Sequence, residues 1–322
     1  MNFPYKIEFY NRDLCYKNGL NDHYAYIISV TNIPSNVSLP KGYYWNFNDH
    51  IFACICAKNA YEDLDVLVDL FSEKARMLAN KYNNLSPLED FKNNFSEINN
   101  KANLLYIKDD KKKPFNYYLR ESIFERRKET NTFKISWTQC LLKYFKSKKV
   151  LDPSAGWGDR ILGASLADVE IYHGVDPNTN MAPYYLEMST FISKYNNGLF
   201  KVFIDDFLTV NTIDNDYDTI FTSPPFYNYE IYSQDKNQSI NKAVSLESWL
   251  QYFFKPYLTK AWNALAKNGK FIIYISDVPN AQYTDTTIKF INTLGGVFNG
   301  CIALNNGLSH KYWPIWIWTK IF

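Results

Sequence analysis

A glycine-containing turn at residues 152–158 has the composition of a ligand-binding loop. It reads Asp-Pro-Ser-Ala-Gly-Trp-Gly and lies between a short apolar strand pattern at 149–152 and a helical pattern at 160–167. Gly156 and Gly158 would let the backbone approach a ligand without an intervening side chain. The turn lacks the Lys-Ser/Thr pair of a phosphate-binding P-loop and the third glycine of the dinucleotide fingerprint. The predicted ligand-contacting residues of this turn are Asp152, Ser154, Gly156 and Gly158.

Acidic residues follow the next two predicted strands. Asp176 ends the strand at 170–175, where a carboxylate can accept hydrogen bonds from both hydroxyls of a ribose. Asp205 and Asp206 end the strand at 199–204, where one of them could accept a hydrogen bond from an adenine amino group. Asp206 is preferred because it aligns better with the turn that leaves the strand. Each acid alone could be a helix cap, but acids at successive strand ends line the edge of an open α/β sheet where ligands bind.

A Ser-Pro-Pro-Phe tetrapeptide at 223–226 directly follows a fourth predicted strand at 217–222. In this order and on these strands, the glycine turn and the tetrapeptide resemble the class I S-adenosylmethionine-dependent amino-methyltransferases. The signature of that family is Asp, Asn or Ser, followed by Pro, Pro and an aromatic residue. The resemblance covers about residues 130–322. It implies S-adenosylmethionine as the cofactor, no metal, and four catalytic residues: Ser223, Pro224, Pro225 and Phe226.

The chemistry of this family explains the tetrapeptide. An exocyclic amino nitrogen is a weak nucleophile because its lone pair is delocalised into the ring. The resemblance implies that the Ser223 hydroxyl oxygen and the Pro224 backbone carbonyl accept its two N–H groups, on a loop stiffened by the prolines. This would favour a pyramidal nitrogen. Phe226 would stack on a base that has left the helix. By the same resemblance, the segment at 132–136 contributes Phe133 to the methionine end of the cofactor.

The substrate is left open by the sequence. Ser as the first residue of the tetrapeptide is commoner in enzymes that methylate the cytosine amino group. The order of the motifs, with the cofactor-binding turn before the tetrapeptide, is frequent among adenine enzymes. DNA is favoured as the partner, and an RNA base amino-methyltransferase and a catalytically silent nucleic-acid-binding subunit are the alternatives. No recognition domain separates the motifs, so recognition is expected in residues 1–105 and in the loop at 227–242. Asp159 and Arg160 replace the commoner Thr after the second glycine, with no assigned effect.

Alternating strands and helices in the second half of the chain predict an α/β fold. With the resemblance, this becomes a Rossmann-like, mainly parallel seven-stranded sheet with an antiparallel last strand. A boundary near residue 105 would divide an α+β N-terminal accessory domain, 1–105, from a methyltransferase domain, 106–322. The remaining predicted elements are helices at 182–195, 246–267 and 284–294, and strands at 270–276, 297–304 and 312–320. In the first hundred residues, strands are expected within 7–30 and at 51–57, and a helix at 63–80.

The composition agrees with an intracellular, soluble, cytoplasmic protein. The chain has 322 residues, of which 46% are hydrophobic, and a formal net charge of +2, and no run reaches membrane-spanning length. Its five cysteines and four histidines have no disulfide or zinc spacing, so free thiols are expected. The stretch at 108–149 holds thirteen basic against five acidic residues. It predicts either a surface that follows a phosphate backbone or a solvated helix face with ion pairs.

Overall fold

The computed structural model describes residues 3–29, 50–57, 61–81, 84–126, 128–211, 213–232, 237–243, 245–278, 281–305 and 312–321. The strands are β1 (Ala25–Ser29), β2 (Ile51–Ala57), β3 (Asn80–Lys81), β4 (Lys149–Asp152), β5 (Ile171–Asp176), β6 (Leu199–Ile204), β7 (Tyr217–Thr222), β8 (Glu230–Ile231), β9 (Leu265–Tyr274), β10 (Gly296–Asn305) and β11 (Trp313–Lys320). The helices are α1 (Arg12–Asn21), α2 (Asp69–Arg76), α3 (Pro87–Asn93), α4 (Phe95–Lys108), α5 (Phe115–Phe124), α6 (Ile135–Tyr144), α7 (Asp159–Ser165), α8 (Ala182–Ile192), α9 (Leu246–Trp249), α10 (Lys255–Ala264) and α11 (Thr284–Thr293). A π-helical turn, Leu250–Phe254, joins α9 to α10.

Nine of these strands form one sheet in the order β1-β2-β10-β11-β9-β7-β4-β5-β6. From β9 to β6 the neighbouring strands are parallel, whereas β11 runs antiparallel to both β9 and β10. The predicted fold class, a mainly parallel Rossmann-like sheet with an antiparallel last strand, is confirmed. The central strand β4 is apolar because both of its faces are covered, and Val150 and Leu151 are fully buried.

Helices cover both faces of the sheet. One hydrophobic core joins the sheet to α6, α7 and α8, and a second core joins it to α10 and α11. The three layers place the carboxyl ends of β4, β5, β6 and β7 along one edge, where ligands bind in open α/β sheets. The fold therefore brings the loops that follow these four strands to a common location.

The N-terminal strands extend the same sheet. β1 pairs antiparallel with β2, and β2 pairs in parallel with β10, with Ile55 opposite Leu304. Both of these residues belong to the core that includes α6 and α7. Residues on either side of position 105 thus share a sheet and a core. The division into two domains at that position stays a prediction.

Several predicted elements differ from the structure. The helix predicted at 63–80 is a 3₁₀ turn at Asp65–Val68 followed by α2, and Asn80 begins β3. The strand predicted at 270–276 is β9, which begins at Leu265 and ends at Tyr274. Within 7–30, residues 12–21 form α1, because the Asn11 side chain caps its first turn by accepting a hydrogen bond from the Leu14 N–H, and only Ala25–Ser29 is a strand. Val30 lies outside the described residues. The helix predicted to reach residue 267 ends at Ala264, and Asn268 adopts a left-handed conformation, φ 64°, inside β9. The predicted bounds of β2, β4, β6 and β7 agree with the structure.

No helix in the described ranges combines the length and apolar character needed to cross a membrane. All five cysteines are free thiols. Burial raises the pKa of Cys54 to about 11 and that of Cys140 to about 12, so both thiols are protonated at neutral pH.

Candidate active site

A cavity of about 480 Å³ lies where the loops after β4, β5, β6 and β7 meet. Eight of the eleven predicted site residues line its wall: Phe133, Ser154, Gly156, Asp176, Asp206, Ser223, Pro225 and Phe226. Asp152, Gly158 and Pro224 are absent from the wall. The structure therefore brings the glycine turn and the tetrapeptide to one cavity, whereas the roles of the individual residues stay predictions.

The glycine turn needs both of its glycines for conformational reasons. Gly156 has φ 62° and Gly158 has φ 92°, values that other residues rarely adopt. A Cβ on Gly158 would lie 2.3 Å from the Met188 sulfur, so this position also permits the close packing of α7 on α8. The Gly156 N–H donates to Asp176 Oδ2 over 2.8 Å, and the Tyr185 hydroxyl donates to the Gly156 carbonyl. The turn is thereby held from both sides.

Asp152 lies beneath the turn and is not among the residues of the cavity wall, and its role in cofactor binding stays a prediction. Its carboxylate is fully buried and accepts hydrogen bonds from Arg160 Nε at 2.6 Å and from the Tyr172 hydroxyl at 2.7 Å. Arg160 also donates to the Ser154 carbonyl. This buried, hydrogen-bonded ion pair fixes the path of the turn, and removal of one partner would leave the other charge uncompensated. Arg160, which had no assigned effect in the sequence, is thus a positioning residue.

The acids at the ends of β5 and β6 lie on the wall as their spacing predicts. Asp176 accepts from the backbone N–H groups of Gly156 and Asn178, and burial raises its pKa to about 6. Each carboxylate oxygen has two acceptor positions, so capacity for ribose hydroxyls remains. Asp206 is on the wall and accepts from the Leu208 N–H at 3.0 Å, whereas Asp205 is exposed and off the wall. The geometry favours Asp206 over its neighbour.

The tetrapeptide presents three of its residues to the cavity, and Pro224 is buried behind them. The Phe226 ring stands edge-on to Tyr274, with 5.9 Å between the ring centroids. Tyr227 follows in a left-handed conformation, φ 51°, and its ring contacts Trp249. A strained non-glycine residue at this point fixes the direction of the chain after the tetrapeptide.

Tyr257, on α10, connects the two motifs and was missed by the sequence analysis. Its hydroxyl lies 2.9 Å from Ser154 Oγ in the glycine turn and 2.9 Å from Thr222 Oγ1, one residue before Ser223. The side chain is buried and lines the cavity. No local sequence pattern identifies it, because a tyrosine on the apolar face of a helix is normally interpreted as a packing residue.

The loop after the tetrapeptide contributes to the wall through Glu230 and Tyr232. Glu230 accepts hydrogen bonds from the Asn131 N–H at 3.3 Å and from the Tyr232 hydroxyl at 2.9 Å. The Tyr232 ring packs edge-on against Trp157 of the glycine turn, with 6.0 Å between centroids. β8, within this loop, pairs with β3, so a segment from the first hundred residues reaches the site. Residues 233–236 of the predicted recognition loop lie outside the described residues.

Several residues of the basic stretch at 108–149 are neutralised by acids. Arg120 is buried and pairs with Asp69 and Glu73. Further ion pairs join Arg126 to Asp90, Lys134 to Asp65, Lys148 to Glu170 and Lys149 to Asp214. Lys112 pairs with Asp109, and Lys113 pairs with Glu62. For these seven residues the ion-paired alternative describes the structure. Arg127 lies outside the described residues, and a phosphate-binding surface stays a prediction for the others.

No protein-family model and no curated protein matches the chain. Among solved structures, it is similar to the magnesium protoporphyrin IX methyltransferase of Synechocystis PCC 6803 with bound S-adenosylmethionine (11% identity, TM-score 0.42, 74% of this chain and 100% of that chain). It is also similar to a TehB-like S-adenosylmethionine-dependent methyltransferase of Corynebacterium glutamicum (14%, 0.40, 64% and 96%) and to the N-methyltransferase NodS of Bradyrhizobium japonicum (11%, 0.39, 58% and 94%). These similarities are too distant to transfer a substrate or a reaction to this chain.

Within the described ranges, no group of three His, Cys, Asp or Glu side chains is arranged to hold a metal ion.

Proposed function

We propose that this protein transfers a methyl group from S-adenosylmethionine to the exocyclic amino nitrogen of adenine or cytosine in nucleic acid, with DNA as the preferred substrate. The observation that carries the proposal is the single cavity whose wall contains both the glycine turn and the Ser-Pro-Pro-Phe tetrapeptide. Its volume of about 480 Å³ falls in the ~300–1,000 Å³ range of small-molecule sites. The reaction requires the donor and the acceptor amine to lie side by side, and both can do so within one cavity.

The residues on the wall fit the chemical groups of the donor. A Cβ on Gly156 would have only Arg160 Nη2 at 3.6 Å and Ser154 O at 3.9 Å nearby, so the backbone here is open to a ligand. Asp176 retains acceptor capacity for the ribose hydroxyls. Asp206, at the next strand end, can accept a hydrogen bond from the adenine amino group. Asp176 follows β5 and Asp206 follows β6, and these two strands are neighbours in the sheet, so the two acceptors lie side by side along its edge.

The tetrapeptide residues then act on the amine. When bound, S-adenosylmethionine supplies an electrophilic methyl group on a sulfonium. Ser223 Oγ and the Pro224 carbonyl accept the N–H groups of the target amine and orient its lone pair toward that methyl group. Phe226, which makes a T-shaped contact with Tyr274, stacks on the base. Most of the rate enhancement would come from holding two reactants in this orientation.

The test is transfer of a labelled methyl group to DNA and RNA oligonucleotides of matched sequence, followed by digestion to nucleosides and mass spectrometry. We expect N6-methyladenine or N4-methylcytosine from DNA. Label in RNA alone would contradict the DNA preference. Absence of label from both polymers, with the donor shown to bind, would contradict a nucleic-acid substrate.

A further inference from the structure

A second groove, of about 670 Å³, lies along α10 and shares no described residue with the wall of the active-site cavity. Phe253 and Tyr257 line the active-site cavity, whereas Gln251, Lys255 and Thr259 line the groove. The last three are spaced four residues apart, and helical side chains at that spacing share one face. The groove and the active-site cavity therefore lie on different faces of the same helical segment.

The wall of the groove carries positive charge. Among the described residues that line it are two lysines, Lys255 and Lys260, and no Asp or Glu. Lys255 is half-buried, with its Nζ 5.7 Å from the centroid of the Phe290 ring. Neither lysine forms an ion pair within the described ranges. The two charges are thus available to an anionic ligand.

Two acids close to the groove in sequence interact with other cations. Asp214 pairs with Lys149, with 3.4 Å between Oδ2 and Nζ. Asp216 interacts electrostatically with Lys320. Neither acid lines the groove, so neither neutralises its charge.

Lys260 keeps one hydrogen-bond donor for a ligand. Its Nζ donates to the Leu208 carbonyl at 3.2 Å and to the Val210 carbonyl at 2.6 Å. An ammonium carries three N–H groups, so one remains. Burial lowers the pKa of Lys260, and attraction by Asp206 and Asp205 only partly offsets this effect. Because burial penalises the charged form, an anion beside this ammonium would be stabilising.

The rest of the wall suits a nucleobase. Apolar surface is supplied by Val210, Ile213 and Pro256. Four side-chain amides also line the groove: Asn211, Asn215, Gln251 and Asn263. None of these amide groups hydrogen-bonds to another residue in the described part of the chain. Amides both donate and accept, and Asn and Gln pair with base edges in protein–nucleic acid complexes. Apolar surface for a ring, amides for its edge and lysines for a phosphate together match a nucleotide.

We propose that the groove along α10 is a nucleotide-binding site, in which Lys255 and the remaining N–H of Lys260 hold the phosphate and the amides contact the base. The site goes beyond the proposed methyl transfer, because none of its described residues lines the cavity assigned to that reaction. Its ligand is either a free nucleotide or one nucleotide of a nucleic-acid strand, since both present a base and a phosphate.

The experiment is calorimetric titration of the full chain with thymidine 5′-monophosphate, thymidine, inorganic phosphate and an oligothymidylate strand. Thymine has no exocyclic amine, so these probes cannot act as methyl acceptors in the proposed reaction. S-adenosylhomocysteine is added to occupy the donor site. The variants are Lys255→Gln and Lys255→Glu, which remove or reverse one charge of the groove. Lys267→Gln changes an exposed lysine beyond α10 and off the groove wall, and is the matched control.

The wild type should bind thymidine 5′-monophosphate at least about tenfold more tightly than thymidine or inorganic phosphate, because base and phosphate are both contacted. Lys255→Gln should weaken the monophosphate by about three- to tenfold and leave thymidine unchanged, and Lys255→Glu should weaken the monophosphate further. Lys267→Gln should match the wild type. Thermal unfolding followed by circular dichroism checks that each variant is folded.

The oligothymidylate distinguishes the two sources of the nucleotide. Tighter binding of the strand than of the monophosphate, lost in Lys255→Gln, identifies a nucleotide within a strand, whereas equal affinity identifies a free nucleotide. If the wild type binds neither the monophosphate nor the strand, the inference is wrong. It is also wrong if inorganic phosphate binds as tightly as the monophosphate, or if Lys255→Gln and Lys267→Gln lose affinity equally. These results would leave the proposed methyl transfer untouched, because that reaction is assayed separately.

Discussion

Replacement of Tyr257 by Phe tests whether the two motifs act as one unit. The change removes a single hydroxyl and keeps the buried ring. It deletes two hydrogen bonds, each 2.9 Å long, to Ser154 Oγ and Thr222 Oγ1. Each such bond contributes about 0.5–1.5 kcal/mol, so the free energy of unfolding should fall by about 1–3 kcal/mol. A domain with a typical stability of about 5–15 kcal/mol remains folded after such a loss.

Turnover should fall even though Tyr257→Phe stays folded. Without the bridge, the glycine turn and the tetrapeptide are no longer held at a fixed separation. A displacement of about 1 Å between reacting groups can lower a rate by about 100-fold, so we expect kcat to fall by about 10- to 100-fold. The measurements are urea unfolding followed by circular dichroism, and initial rates of methyl transfer at saturating donor.

Tyr217→Phe is the matched control. Tyr217 is also fully buried, and its hydroxyl also makes two hydrogen bonds: one with His173 Nδ1 at 2.7 Å, and one accepted from the Asp214 N–H at 3.2 Å. It begins β7, about 16 Å along the strand from Thr222. The control should lose a similar free energy of unfolding and keep wild-type turnover. Equal turnover losses in the two variants, or unchanged turnover in Tyr257→Phe, would refute the reasoning.

Three further predictions follow from the site. Ser223→Ala should lower kcat by about 100-fold or more, by analogy with the loss of one preorganised polar group at a reacting centre, while calorimetry finds donor affinity within about twofold of the wild type. Burial raises the pKa of Asp176 to about 6, and protonation converts one of its acceptor oxygens into a donor while the Gly156 and Asn178 N–H groups still need acceptors. Donor affinity measured by calorimetry should therefore fall as pH decreases below about 6, by up to about tenfold per pH unit, and less steeply in Asp176→Asn. In Gly158→Ala the new Cβ would lie 2.3 Å from the Met188 sulfur, and the residue would also keep an unfavourable φ of 92°. In Gly295→Ala the new Cβ would have no atom within 4 Å, so the φ of 86° is the only source of strain. In urea unfolding both variants should lose about 1–3 kcal/mol from strain, and Gly158→Ala should lose more than Gly295→Ala; equal losses would contradict the overlap.

The sequence by itself determined the elements that carry the candidate site. The bounds of β4, β6 and β7 were predictable because each is a short apolar run ended by a turn or by acidic residues, which are local signals. The left-handed glycines of the turn and the acids after β5 and β6 follow from the same local chemistry. Motif spacing within the strand–loop–helix pattern then predicted that these residues would meet at one edge of a sheet.

Only the tertiary structure decided which other residues meet them. Tyr257 contacts Ser154 across about a hundred positions of sequence, and β2 pairs with β10 across about 250. The fold also places the buried Asp152 carboxylate beneath the turn, where it holds Arg160, a contact that the sequence did not predict. Backbone propensity and turn chemistry act over a few neighbouring residues, so they define elements. Hydrogen bonds and ion pairs between elements form only when packing brings distant segments together, so their partners cannot be read from local pattern.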